Sequence, residues 1–489
     1  MNGAPRYVCV VAAGGAPAAD TERTVRSLLD QEGDLDVIVT GRVPRLDDGR
    51  LRAVPAATDV WQVGARSAGA DGFVVAVEPG DALRPGALAH VSAVLSDDVD
   101  IVYTDERVHQ GDRSCDRFKP DWSPERARCH DYCGQLSAFR GRTLSGIDVA
   151  VTAGRIPRHA ALLHAAERAR RIEHVPVVAF DRYSAVPAPA VRTHPPVDHR
   201  VTVVIPTVGA TRAIWGRHRP LVLEAVDSVL AVTQPRPQIV VVVDPATPPS
   251  VRQALAVRDV VLVAGVAPFN YAAACNLGAA AADGEVIVLL NDDTKVEDVG
   301  WLAVMTSLLA EPDVGVVGAR LLHADGTLQH GGLLLNGQPL HIFHGYAGED
   351  PGPFDLLRVD REVSAVTGAC LATPRSLWRE LGWLDPAFAL AGNDVDYCLR
   401  AQRRGRRVVW TPDATLYHFE SQSRGVDTAP ADVALLCARW PEEMSHDRFG
   451  HPDFEPRQAE WVPRQALGLD QRVWRSLHRA ARWRPGSRH

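Results

Sequence analysis

Lysine is almost missing from this chain of 489 residues: Lys119 and Lys295 are the only two, and arginine supplies the rest of the 53 basic side chains. That skew fits a GC-rich bacterial coding sequence and says little about function. Cysteine is sparse as well, eight residues with no CxxC pair. A disulfide scaffold is thereby excluded, and the thiols read as reduced, in a cytosolic protein. Cys115, Cys129, His130 and Cys133 lie near one another, but their spacing is a poor zinc signature. No apolar run approaches the roughly 20 residues that span a bilayer. The opening MNGAPRYVCVVAAGGAPAADTER lacks a basic stretch followed by an apolar core, so no secretory leader is expected. A surplus of positive charge is absent too. The net charge of -7 argues against general binding of nucleic acid. With 46% hydrophobic and 23% charged residues the chain is globular, and it is long enough for two folded domains plus an extra segment.

The dominant positive feature is an internal repeat. TVRSLLDQEGDLDVIVTG and GARSAGADGFVVAVEPGDALRPGALAHVSAVLSDDVDIVYTDE, in the N-terminal half, match EAVDSVLAVTQPRPQIVVVVD and ACNLGAAAADGEVIVLLNDDTKVEDVGWLAVMTSLLAEPDVGVVGA in the second half. Each copy runs helix, buried strand, small-residue helix ending in Ala-Asp-Gly, buried strand, acidic turn, helix, strand. Short uninterrupted β-branched runs such as VIVLL suit strands buried on both faces of a parallel sheet. Alternation with helices predicts an α/β, Rossmann-like, doubly wound architecture in two tandem domains. Residues 184–200, SAVPAPAVRTHPPVDHR, read as a proline-rich linker. The expected domains are 1–183, 201–425 and a C-terminal helical extension over 426–489.

The copies differ at the acidic turn. The second has Asn291-Asp292-Asp293-Thr294 after its buried strand, whereas the first has Glu78-Pro79-Gly80-Asp81. Ligands of open α/β sheets bind beyond the carboxyl ends of the strands. The first copy therefore reads as degenerate, structural or partner-recognising, and the second as catalytic. Adjacent aspartates suit a hard divalent cation that also holds phosphates, although acids at a turn are common helix caps. Downstream, Asp394 and Asp396 open a predicted helix, and His418, Glu420 and Arg424 follow the strand RRVVW.

These segments together resemble the inverting glycosyltransferases of family 2, which have the GT-A fold. The resemblance covers roughly residues 201–425. VTVVIPTVG is similar to the family's opening strand, VVVVD to its second, FNYAAACNLGAAAADGEVIVLLNDDT to its helix and DxD segment, ALAGNDVDYCLRAQRRG to its base segment, and ATLYHFESQSRG to its metal histidine. SAVTGAC, DGTLQHGG and NDVD resemble a subgroup, often rhamnosyltransferase-like, that makes bacterial surface polysaccharides. The first copy, with FKPDWSPE, resembles the degenerate GT-A half that often precedes such enzymes.

The resemblance implies that Asp293 and His418 hold Mn²⁺ or Mg²⁺, and that Asp394 is the catalytic base. Pro206, Thr207, Asp244, Asn270, Asn276, Asp292 and Arg424 would bind a UDP- or dTDP-sugar donor. The acceptor would be a glycan or a lipid-linked sugar. Three departures stand out: Asn291 occupies the first DxD position, Asn393 the place of a common glutamate, and PATPPS follows Asp244. Asn270 and Asn276 equally fit helix caps and buried hydrogen-bonding groups. His330, His341 and His344 fit a mobile acceptor-facing loop or a second metal site. The tail LDQRVWRSLHRAARWRPGSRH fits a basic amphipathic helix on a membrane surface, or one packed on the catalytic domain with solvated arginines. A cytoplasmic location follows, with peripheral membrane contact in the first case. Two rival readings are a non-catalytic glycosyltransferase-like partner protein and a sugar nucleotidyltransferase.

Overall fold

The computed structural model describes residues 4–148, 157–419, 430–455 and 460–461. The chain divides into two compact units, Met1–Thr193 with Phe354–Arg361, and His194–Pro353 with Glu362–His489.

In the first unit β1 (Arg6–Ala12), β2 (Asp34–Thr40), β3 (Leu51–Val54), β4 (Phe73–Val77), β5 (Ala82–Leu83), β6 (Val99–Gln110), β7 (Ser137–Arg140) and β8 (Arg171–Arg182) lie in the order β3-β2-β1-β4-β7-β6-β8-β5. The second unit has β9 (Val201–Thr207), β10 (Gln238–Val243), β11 (Val261–Ala264), β12 (Val286–Leu290), β13 (Thr294–Val296), β14 (Val314–Leu322), β15 (Leu328–His330), β16 (Cys370–Pro374) and β17 (Arg407–His418). Its main path is β11-β10-β9-β12-β16-β14-β17-β13. Matched strand for strand, the two orders are the same. The repeat read from sequence is thus a repeat of topology.

The sheets are mixed rather than parallel as expected. β9, β10, β11 and β12 run parallel, but β16 is antiparallel to both β12 and β14, and β13 is antiparallel to β17. β7 takes the same antiparallel place in the first unit. All five residues of β12 are buried, and valines, isoleucines and leucines of β9, β10, β12 and β14 form one core.

Equivalent positions are fixed by a shared hydrogen bond. Leu83 N–H donates to Ser27 Oγ of α1 (Ala18–Leu29), and Val296 N–H donates to Ser228 Oγ of α2 (Leu221–Val232), both at 3.1 Å. Leu83 pairs with Phe180 and Val296 with Leu416 in the adjoining strand. Counting outward, Gly80 stands where the second unit has Asp293, and Arg182 where it has His418.

Above the second sheet lies α3 (Tyr271–Ala280), whose Gly278 has no room for a side chain: a Cβ would collide with Val204 and come within 3.0 Å of Val242 Cγ2. α4 (Asn393–Arg403) follows a left-handed Gly392. Its buried Asp396 receives Arg400 Nε at 2.8 Å and Arg439 Nη1 and Trp440 Nε1 at 3.0 Å, so the helix Pro430–Arg439 docks on it. Beyond residue 461, including the basic stretch 469–489, and at Arg424, the sequence expectations lie outside the described residues. Among the described residues no helix is long and apolar enough to cross a membrane.

Candidate active site

The NDDT turn leaves β12 at the carboxyl edge of the sheet and continues at once into β13. That strand pairs with the end of β17, Thr294 opposite His418. Phe419 N–H also donates to Asp293 O at 2.8 Å. The ladder therefore carries His418 beside Asp293: Nε2 lies 3.0 Å from Oδ1, with both side chains buried. On the other side of the imidazole, Nδ1 lies 3.0 Å from Gln329 Oε1. A carbonyl oxygen only accepts, so Nδ1 carries the proton and Nε2 faces Asp293. Asn291 Nδ2 stands 3.3 Å from the same Nε2. A carboxylate oxygen and an imidazole nitrogen this close repel unless a proton or a cation lies between them. One carboxylate and one imidazole are a donor set that fits Mn²⁺ or Mg²⁺, the imidazole favouring Mn²⁺.

The neighbouring strand ends converge here. Thr207, closing β9, donates its hydroxyl to Asp292 Oδ2 at 2.6 Å and accepts Gly209 N–H at 2.9 Å. A hydroxyl-to-carboxylate bond of this kind contributes about 1.5–3 kcal/mol and fixes the carboxylate's direction. Pro206 precedes Thr207, opposite Val242 of β10. Asp244, just past β10, donates its N–H to Thr207 O at 2.9 Å and accepts Ala246 N–H on Oδ1 at 2.8 Å. Pro206, Thr207, Asp244, Asp292, Asp293 and His418 are thus brought to one edge.

Asp394 reaches the same neighbourhood through two residues of backbone. Its Oδ2 accepts Gly368 N–H and its Oδ1 accepts Val395 N–H, each at 2.8 Å. The next residue, Ala369, accepts Asn291 N–H at 3.0 Å. Burial pushes the Asp394 carboxyl above its ordinary value, against the pull of the N–H groups of Gly368, Val395 and its own residue.

Asn270 and Asn276 take the second of the two roles that the sequence left open, a helix cap and a partly buried hydrogen-bonding group. Asn270 caps α3, accepting Ala273 N–H at 2.9 Å and donating to Pro386 O at 2.9 Å. Asn276 donates to Leu384 O at 2.8 Å and accepts Leu384 N–H at 3.0 Å. Both amides are committed to backbone and tie α3 to the loop that leads into α4. Of the three histidines expected on a mobile loop or at a second metal site, His330 and His341 end short strands, Leu328–His330 and Pro339–His341, and His344 lies in the exposed turn that follows; His330 is fully buried, with Nδ1 2.9 Å from His341 Nδ1. Among the described residues no metal-ligating group of three includes them. Gln329, Thr367, Gly368 and Tyr271, whose hydroxyl donates to Gly368 O at 2.9 Å, were not singled out from sequence. Gln329 lay in plain view inside DGTLQHGG.

In the first unit the equivalent edge is closed. Arg182 Nη2 donates to Ala185 O at 2.6 Å and Nε to Ser184 O at 3.3 Å, while Nη1 lies 3.5 Å from Glu106. Asp81 accepts Tyr183 N–H at 2.6 Å and Ser184 N–H at 2.8 Å on one oxygen, and the Ser184 hydroxyl at 2.8 Å on the other.

Residues 199–442 match the family model described as glycosyltransferase like family 2. An uncharacterized protein of Sinorhizobium fredii, y4gI, is 30% identical over 456 residues, 79% of this chain and 48% of that protein. The O-antigen biosynthesis protein RfbC of Myxococcus xanthus is 31% identical over 416 residues, 74% of this chain and 32% of RfbC. The chain thus spans about half and about a third of these relatives' lengths. Among solved structures, GalNAc-T7 with UDP, GalNAc and Mn²⁺ aligns at a TM-score of 0.41 and 14% identity, over 57% of this chain and 54% of that one.

Proposed function

Through residues 199–442 the chain belongs to the family 2 glycosyltransferases, and on that premise we propose that it moves a sugar, with inversion, from a UDP- or dTDP-sugar to a hydroxyl of a growing cell-surface glycan or lipid-linked acceptor. Asp293 and His418 hold the divalent cation, Mn²⁺ or Mg²⁺. Bound there, that cation offsets the charge gathering on the departing nucleoside diphosphate. Thr207 keeps Asp292 turned into the donor site, Pro206 and Asp244 border the nucleoside, and Arg424 meets a phosphate through its planar fork. Asp394 accepts the proton of the acceptor hydroxyl as that oxygen bonds to the anomeric carbon and the bond from carbon to phosphate oxygen breaks. Such base assistance is worth roughly 10²–10⁴-fold. One base with no nucleophilic carboxylate paired to it among the described residues accords with a single displacement. A lipid-linked acceptor would bring the reaction to the cytoplasmic face of the membrane, with the basic C-terminal stretch as the contact.

The observation that carries this reading is the pairing of Thr294 with His418, which sets an imidazole 3.0 Å from Asp293 at the carboxyl edge of the sheet. A thermal-shift panel of UDP-, dTDP- and GDP-sugars with and without Mn²⁺ tests it, since a ligand that binds the fold raises its apparent stability. One donor should stabilise the chain only with the metal present. Asp394→Asn should keep that shift and lose at least about 10²-fold in turnover. Full turnover in this variant would sink the base assignment. Equal shifts with and without Mn²⁺ would sink the metal assignment.

A further inference from the structure

We propose that Gln329 is a positioning residue for the metal site: by accepting the Nδ1 proton of His418 it holds the imidazole in the tautomer and orientation that present Nε2 to the cation. The inference rests on the functional reading above, because it gives Asp293 and His418 their ligand roles.

The backbone is shaped for this contact. In the pairing of β15 with β14, His330 stands opposite Leu321 and Leu328 opposite Leu322, so two steps along β15 meet one step along β14. Gln329 is the extra residue, a bulge. Bulges interrupt the alternation of side chains and re-aim one of them, often beside a functional site. Here the re-aimed side chain is 2% exposed, with its Oε1 3.0 Å from His418 Nδ1. Free imidazole exchanges its proton between the two nitrogens, and a ligand nitrogen must be the unprotonated one. An acceptor fixed on Nδ1 settles that choice before a cation arrives, and it makes Nε2 the more basic donor. Outer partners of ligating histidines act in this way, and losing one typically costs 10–100-fold in metal affinity.

The test titrates the full chain with Mn²⁺ alone, following free Mn²⁺ by electron paramagnetic resonance, with far-ultraviolet circular dichroism of every variant. Gln329→Leu keeps the volume but has no acceptor, and it should weaken binding 10–100-fold with an unchanged spectrum. Gln329→Glu restores an acceptor and should bind at least as tightly as the parent. Parental affinity in Gln329→Leu overturns the inference, as does an equal loss in both variants. Should Gln329→Leu fail to fold, Gln329→Glu decides alone, a tenfold or greater loss overturning it. His418→Ala separates this inference from the reading beneath it. If that variant binds Mn²⁺ as the parent does, the metal assignment itself has failed, and the role of Gln329 falls with it.

Discussion

Asp394 sits under two opposed influences. Loss of water disfavours its charge, and the N–H groups of Gly368, Val395 and its own residue favour it; burial is the stronger, so the carboxyl titrates above its ordinary position. From sequence alone this residue is an ordinary aspartate near pKa 3.9, fully ionised at neutral pH and weakly basic. In the role proposed for it, the higher value would make it a better base. The sign of the pH effect follows. A base works ionised, so turnover falls as pH drops through the raised value, and the acid limb of kcat lies above about 3.9. Stability moves the other way: the fold favours the protonated carboxyl, and that contribution is full below the unfolded value and fades as pH rises through the folded one. A kcat profile with Mn²⁺ saturating at every pH checks this. An acid limb at or below 3.9 would show that the hydrogen bonds outweigh burial.

The helix α3 shows how the asparagines of a binding-like motif also serve as scaffold. In FNYAAACNLG the two asparagines hold backbone of the loop 384–386, and the glycine lets the helix settle against Val204 and Val242. Gly278→Ala sets two effects against each other. Alanine is the better helix former by about 0.8–1.0 kcal/mol. Its methyl would meet a β-branched valine that has little rotamer freedom, and overpacking of this kind costs about 1–3 kcal/mol. The clash should win, leaving a net destabilisation of about 1 kcal/mol, read as a lower urea midpoint; a midpoint at or above the parent's would show that the valines yield. The same helix marks the limit of what was legible. Buried valine runs and their alternation with helices announced two α/β copies, because both are local patterns. The antiparallel β16 was not predicted: its five residues, CLATP, are few and end in proline, which cannot donate to a ladder. The closeness of Asp293 and His418 comes from a ladder between strands distant in sequence, and only the family resemblance pointed to it. Gln329 stands inside DGTLQHGG, but its role was not legible, because the bulge that aims it is a mismatch in pairing, which neither strand shows by itself.

At the scale of the whole molecule, one topology is built twice and only one copy keeps an edge that suits a cation. Gly80 offers no side-chain ligand where Asp293 stands, and Arg182 puts a guanidinium where His418 stands. Burial by itself would raise the Glu106 carboxyl, yet Lys119, Arg117 and Arg182 together hold it well below the ordinary range. The first unit has thus internalised fixed positive charge at the edge where the second can take a mobile one. A divalent cation there would face the Arg182 guanidinium in the place of the His418 imidazole, while Asp81 is already engaged by residues 183 and 184. The full chain should therefore bind one Mn²⁺, not two. His418→Ala should remove that one and leave none at concentrations up to about 100 times the parental Kd, a range over which binding to the parent is complete. Equilibrium dialysis with metal analysis gives the count directly. A second equivalent in the parent, or one surviving in His418→Ala, would mean that the first unit kept a site despite its arginine, and that the loss of acids at the turn is a poor guide to which copy works.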